Sequence, residues 1–269
     1  MPEIPDLDNI VKFLNEKIPG VTVASMEPRI PIVIRFPAAA DLAARLEGQA
    51  FSGVSRRGKF LLFKMVSGDT LAVNSMLTGR FQYVEPDTKR HAKTCFTLKL
   101  DNGMDLRYHD SRVMGKVYCV APGEESIIPG FERMGPDALD PDVTLDVFRQ
   151  RLRRFSGQIK RVLVTDTFLA GIGNAYSDEI LFDAGIYPFR RRATLGDDEI
   201  EALYYSMHSV LGEATRVVGE RMDGRIDLKI RDFLKVHRKG GQDCPNCGGR
   251  IGEVKANQRM TNFCRTCQK

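Results

Sequence analysis

Four cysteines near the C-terminus carry the plainest chemistry in the chain. Cys244 and Cys247 make one CxxC pair and Cys264 and Cys267 another, with sixteen residues between the pairs. A CxxC turn presents two thiolates to one ion, and zinc takes four ligands in a tetrahedron, so this spacing predicts a ribbon of two β-hairpins around one structural Zn2+. Two disulfides would need an oxidising compartment. The N-terminus has neither the basic stretch nor the apolar run that leads a chain there, so the protein is expected to stay in the cytoplasm. With every ligand position taken by protein, the ion is closed to water and is not a catalyst. Cys95 and Cys119 sit in alternating apolar stretches and read as buried fillers.

Three further stretches offer chemistry of lower specificity. VKANQRMTNF, between the cysteine pairs, is expected to form the outer hairpin with Arg259 near its tip, placed to grip a phosphate or to stand as an ordinary exposed charge. Gly171-Ile172-Gly173-Asn174 separates two amphipathic helical runs, with Asn174 expected at or near the N-cap of a helix whose first turn holds Asp178 and Glu179. A glycine turn opening a helix suits an anion, although an ordinary helical hairpin would look the same. RRGKF, residues 56 to 60, is expected to start a strand, with Lys59 a fixed cation or a solvated strand end. The tip of the chain, MPEIPD, puts a proline in second position beside Glu3.

Around these residues the chain reads as two halves. Leu7, Ile10, Val11, Leu14 and Ile18 recur at helical spacing, which predicts a helix over 6–18 that ties down Pro2. Eight short β-type runs come next, VTVASM, PIVIRF, KFLLFKMV, TLAVN, RFQYV, TCFTLKL, MDLRYHD and KVYCV, which is the pattern of a sandwich or barrel. Residues 121–141, rich in Pro and Gly, read as a linker. Helical periodicity then appears at 142–155 and 197–218. The expected organisation is an N-terminal β domain over 1–122, a linker over 123–141, a helical domain over 142–232 and a ribbon over 233–269.

Composition excludes several classes. With 42% hydrophobic and 28% charged residues the chain is globular, and it has no apolar run long enough to span a bilayer. The net charge of +5 is concentrated: from Lys235 onward eight basic residues face two acidic ones, leaving 32 basic and 33 acidic in the remainder. A basic module on a near-neutral body points to a polyanionic partner.

Taken in order, MPEIPD, RRGKF, the HDSRVMG segment at 109–115, LAGIGNAYSDEILFDAGIYP and the closing four-cysteine ribbon resemble the formamidopyrimidine-DNA glycosylase and endonuclease VIII family, end to end. The resemblance implies a mixed α+β chain: a β-sandwich opened by a helix, then a helix–two-turns–helix bundle and a zinc ribbon. It implies a monomer, with no membrane, acting on double-stranded DNA that contains damaged bases or abasic sites. It also implies a bifunctional glycosylase and AP lyase. Loss of Met1 would expose the Pro2 amine, which would attack C1′, release the base and leave an iminium that promotes strand cleavage. An α-amine with a pKa of about 8 keeps a useful neutral fraction near neutrality.

By the same resemblance Glu3 would be the general acid–base. Lys59 would contact the lesion phosphate, Arg259 and Asn174 would hold neighbouring phosphates, and Lys160 and His91 would lie among the DNA contacts. Leu77, Arg112 and Met114 would fill the space left by an everted base. The pattern departs from the family at several of these points. Asp6 stands where a glutamate is usual, Leu77 occupies the wedge position in NSMLTG, and Val113-Met114 replaces a second arginine and a phenylalanine. Gln258 replaces the glycine before Arg259, and the loop over 219–230 is short. These departures predict weaker selection for 8-oxoguanine opposite cytosine, with ring-opened bases, oxidised pyrimidines and abasic sites preferred. Two other readings stay open: a non-catalytic binder of damaged DNA on the same scaffold, and an RNA- or ribosome-binding helical module with a ribbon.

Overall fold

The computed structural model describes residues 1–256 and 259–269, and the chain divides into two compact units. The first comprises 1–132 with 218–229, the second 133–217 with 230–269.

The first unit opens with helix α1 (Ile4–Lys17), whose Ile4, Leu7, Ile10 and Leu14 are all buried along one stripe. The helix starts two residues earlier than its periodicity suggests, because Pro5 is favourable in a first turn and Asp6 caps the end. Nine strands come after it: β1 (Val23–Pro28), β2 (Ile34–Phe36), β3 (Phe51–Arg57), β4 (Phe60–Met65), β5 (Thr70–Asn74), β6 (Gly79–Val84), β7 (Thr94–Leu100), β8 (Asp105–Asp110) and β9 (Lys116–Val120). They form two sheets, ordered β1-β7-β8-β6 and β2-β9-β5-β4-β3. Aromatic rings join the two layers, with Phe63 of β4 5.1 Å from Phe81 of β6. Cys95 and Cys119 are completely buried in this core, as their setting suggests.

Two elements are not visible in the alternation. A short helix, α2 (Ala39–Leu46), buries only Leu42 and Leu46, and β3 buries only Phe51 and Val54, three residues apart across a register shift at Gly53. RRGKF therefore ends one strand and begins the next, rather than simply starting one. Arg57 pairs with Phe60, so Gly58 and Lys59 alone make the hairpin turn. Gly58 has φ +55°, which a two-residue turn of this kind demands of its first central residue. PIVIRF is likewise only half a strand: Pro31–Val33 form a 3-10 turn.

A buried ion pair braces β8, inside the four-stranded sheet. The guanidinium of Arg107 on β8 donates through Nη2 to Asp105 at 2.7 Å, and also to the carbonyls of Thr88 at 2.6 Å and Pro86 at 2.7 Å. The turn over 85–88 is thus fastened to β8, just ahead of His91.

The second unit is helical, with α3 (Leu145–Arg153), α4 (Ile159–Leu163), α5 (Asn174–Asp183) and the greater part of α6 (Asp197–Met222). Thr144 caps α3, its hydroxyl accepting the Val147 N–H at 3.3 Å. Helix α6 runs four residues further than its periodicity suggests, so the segment after it begins at Asp223 rather than Gly219. The ribbon contributes one regular hairpin, β10 (Ile251–Ala256) with β11 (Arg259–Cys264). The other expected hairpin is reduced to a single bridge between Asp243 and Arg250. Gln258 lies outside the described residues.

Two glycines of the sandwich crowd against one aromatic side chain. A Cβ on Gly79 would fall 2.1 Å from the Tyr108 hydroxyl, and one on Gly115 2.0 Å from it. Both glycines leave space for the same buried ring. Gly115→Ala is therefore expected to destabilise the protein by about 1–3 kcal/mol in a denaturant titration. Adding Tyr108→Phe should restore part of that loss; a double variant no more stable than the single one would refute the clash.

Candidate active site and nucleic-acid interface

In the first unit the chain terminus is pinned rather than frayed. The Met1 amine donates to the Leu77 carbonyl at 3.0 Å, and Pro2, Glu3 and Asp6 are buried behind it. Glu3 stands at the N-cap of α1 and Asp6 at the third helical position, where the Asp6 carboxylate accepts the Glu3 N–H at 2.9 Å. The shorter acid still closes the cap. Helix α1 is in turn fastened to β3. Arg56 donates to Asp8 at 2.7 Å, and the Asn15 amide exchanges two bonds of 2.7 Å with the backbone of Val54. Lys59 lies three residues beyond Arg56 and is 9% exposed. Glu3 and Lys59 are thus carried by two elements that are tied to each other.

Leu77, Arg112 and Met114 stand on two loops, 75–78 and 111–115, and all three are exposed. Asp110, at the end of β8 and wholly buried, organises both. Its carboxylate accepts the N–H of Gly115 at 2.7 Å, Met114 at 2.8 Å and Arg112 at 3.2 Å, and also the hydroxyl of Thr78. Burial alone would raise the Asp110 pKa, but these donors outweigh it and hold the carboxyl below its ordinary value. They also stabilise a costly backbone: Val113, β-branched, has φ +54°. Sequence reasoning stopped at Arg112 and Met114 and missed Asp110. The available signal was an aspartate directly before a Ser-Arg turn, where its side chain can take backbone N–H groups.

His91 lies at the edge of this unit, half exposed and stacked on His109 with ring centroids 4.0 Å apart. Burial, and next the neighbouring His91, lower the His109 pKa to about 4, so its ring is neutral at physiological pH.

In the second unit, Asn174, Lys160 and Arg259 line one cavity of about 330 Å³, together with Gln158, Arg161 and Thr261. Asn174 is the first residue of α5, not its cap, which is Gly173. The helix N-terminus therefore opens on a cationic hollow of a size and sign that suit a phosphate. Asn174 Nδ2 donates to the Met260 carbonyl at 2.8 Å, joining α5 to β11. Lys160 is buried: its ammonium donates to Asp178 at 2.6 Å, Thr261 at 2.8 Å and the Met260 carbonyl at 3.3 Å. It braces the cavity wall as well as charging it.

Asp178 and Glu179 are the fifth and sixth residues of α5, in its second turn and not its first. There they anchor the approach to the ribbon. Glu179 accepts the N–H groups of Lys235 at 2.8 Å, Val236 at 2.9 Å and His237 at 2.7 Å, and Asp178 lies 2.8 Å from His237 Nδ1. Burial raises the Glu179 pKa despite those three donors.

The four ribbon cysteines converge. Their sulfurs all lie within 4.8 Å of one another, with Cys244–Cys267 at 3.7 Å and Cys247–Cys264 at 3.5 Å. A disulfide needs about 2.05 Å, whereas the edge of a tetrahedron with Zn–S of about 2.3 Å is about 3.8 Å. The thiols fit one structural Zn2+ and not two disulfides. Phe182, Val236 and Ile251 pack around them as a small core.

Residues 1–117 match the family model of the formamidopyrimidine-DNA glycosylase N-terminal domain, 134–224 that of the formamidopyrimidine-DNA glycosylase H2TH domain, and 241–269 that of the zinc finger found in FPG and IleRS. The chain belongs to the formamidopyrimidine-DNA glycosylase family. It is 33% identical to the formamidopyrimidine-DNA glycosylase of Pelotomaculum thermopropionicum, over all of this chain and 99% of that one. It is 34% identical to that of Symbiobacterium thermophilum, over all of this chain and 89% of that one. Among solved structures, Lactococcus lactis FPG (MutM) with FAPY-dG-containing DNA matches at a TM-score of 0.89 and 28% identity, covering 99% of this chain and all of that one. The same protein with abasic-site DNA matches at 0.90 and 28%, covering 99% of each.

The Asp110 carboxyl generates a pH prediction. A depressed folded-state pKa adds stability that is present above the unfolded value of about 4 and is lost as pH falls through the lower folded value. Asp110→Asn should therefore be less stable than the wild type at neutral pH, and the gap should narrow as pH drops from about 5 to about 2. Denaturant midpoints at several pH values measure it; a constant gap would mean the carboxylate charge does not hold the loops.

Proposed function

We propose that this chain is a DNA glycosylase of base excision repair that also cleaves the strand as an AP lyase, working through an iminium at Pro2. The observation that carries the reading is the chain terminus, held against the Leu77 turn with Pro2 and the Glu3 carboxylate buried together at the head of α1. Removal of Met1 turns the Pro2 nitrogen from an amide into a secondary amine whose lone pair is available. That amine attacks C1′, the bond from C1′ to the base breaks, and an iminium forms. Proton loss from C2′ then expels the 3′ oxygen. Glu3 supplies and takes up the protons that open the sugar and release the base. Lys59 holds the lesion phosphate, while Asn174, Arg259 and the helix dipole of α5 hold its neighbours, with Lys160 fixing the cavity they share.

Leu77, Arg112 and Met114, exposed on loops rooted at Asp110, fill the stack when the damaged nucleotide is everted. His91 adds a contact at the edge. Val113-Met114, standing where the family has an arginine and a phenylalanine, and the short segment after α6 support ring-opened bases, oxidised pyrimidines and abasic sites as substrates, with only weak selection for 8-oxoguanine opposite cytosine. The protein works as a monomer on the DNA of the cell that makes it, in the cytoplasm with the nucleoid. Among the described residues no helix is long and apolar enough to cross a membrane.

Borohydride added during turnover should lock the processed protein to abasic-site DNA. An N-terminal extension that blocks Pro2 should abolish this trapping, and Glu3→Gln should slow base release while leaving some abasic-site cleavage. Efficient trapping by the blocked protein would move the nucleophile to a lysine, Lys59 first. No trapping by either form, with binding intact, would leave a damaged-DNA binder.

Arg259→Ala should weaken binding to damaged and intact duplexes alike and make the plot of log affinity against log salt shallower by about one unit. A loss confined to the lesion duplex would show that Arg259 reads the base and not the backbone.

A further inference from the structure

We propose that His91, His109 and Asp227 form a second metal site, separate from the ribbon, for a borderline divalent ion such as Zn2+ or Ni2+. One donor atom from each of the three lies within 4.8 Å of the other two. They hold two of the four histidines in the chain. His91 Nε2 is 3.8 Å from Asp227 Oδ2. His109 Nε2 is buried with no hydrogen-bond partner, an uncompensated nitrogen that an ion would satisfy. Asp227 already has the outer support that metal-bound carboxylates carry: Gln82 Nε2 donates to its Oδ2 at 3.1 Å.

The donor set favours this class of ion. Two imidazoles and one carboxylate suit zinc, nickel, cobalt and iron, and are too nitrogen-rich for magnesium or calcium. Three protein donors leave at least one position for water or another ligand. With ligand bonds of about 2.0–2.1 Å, tetrahedral donors stand about 3.4 Å apart, so the three must draw together slightly. His91 is the one that moves: its side chain is 48% exposed, and a turn of its ring also breaks the near-parallel stack, which interplanar contact at 25° would otherwise keep from aiming both nitrogens at one point. Arg80, opposite His109 in the β6–β8 register, works against a dication, so this site is weaker than the four-thiolate centre.

The three residues come from different stretches of the first unit. His109 is on β8, His91 comes after the turn fastened by Arg107, and Asp227 belongs to the segment after α6. An ion held by all three would cross-link that segment to the sheet.

The test uses tag-free protein carrying its ribbon zinc, titrated with NiCl2 by calorimetry. One equivalent is expected to bind with a dissociation constant below about 1 mM. His91→Ala and Asp227→Asn, both at accessible positions, should each weaken it at least about tenfold. In hydrogen exchange, Ni2+ should slow the backbone amides of 223–229 in the wild type and not in the variants. No saturable binding in that range, or equal affinity in the wild type and both variants, would overturn the site.

Discussion

The geometry of the N-terminal unit depends on a carboxylate that never meets water. Asp110 gathers three backbone N–H groups and a hydroxyl from two loops, and a buried charge left with fewer partners would be costly. That requirement fixes the path of both loops. Their exposed tips, Leu77, Arg112 and Met114, can then differ in chemistry while their roots do not move. Tyr108 acts two residues earlier on the same face of β8, filling the space that Gly79 and Gly115 vacate at the base of each loop. One strand thus sets two loops from below.

The second unit solves a related problem with the opposite sign. A ribbon of this size has too little apolar surface to fold by burial, and its metal supplies most of the order. Orientation comes instead from α5, whose Asp178 and Glu179 take Lys160, His237 and three backbone N–H groups. The same helix presents its N-terminus to the cavity. The elements that seat the ribbon and those that form the cationic hollow are therefore one continuous piece, and a disturbance of either is felt by both.

Much of this was legible in the residues. The cysteine spacing, the period of α1 and the exact extents of β5, β7 and β9 were local signals that tertiary contacts did not override. The fold class and zinc came from them and from the family resemblance. The hidden features have physical reasons. Helix α2 buries only two side chains, and β3 buries Phe51 and Val54 three residues apart across a bulge, so neither shows a clean period. The cap of α5 moved by one residue because Gly173, in an extended conformation, can cap as well as Asn174. Gln82 and Asp227 meet across a long stretch of chain, as Asp110 meets Thr78, and no spacing announces that.

The turn at Gly58-Lys59 has a consequence for how the molecule can move. A two-residue hairpin has no slack: its ends are fixed by the pairing of Arg57 with Phe60, and Lys59 inherits the stiffness of the five-stranded sheet behind it. Its backbone is located by counting along the ladder and not by the drift of a loop. A ligand that arrives misaligned cannot move this turn, so accommodation beyond the reach of the lysine side chain has to come from the ligand. Nucleic acid bends at a modest energetic cost, and a rigid cation in the protein would turn that compliance into discrimination, because backbone that deforms easily reaches the charge and stiffer backbone does not.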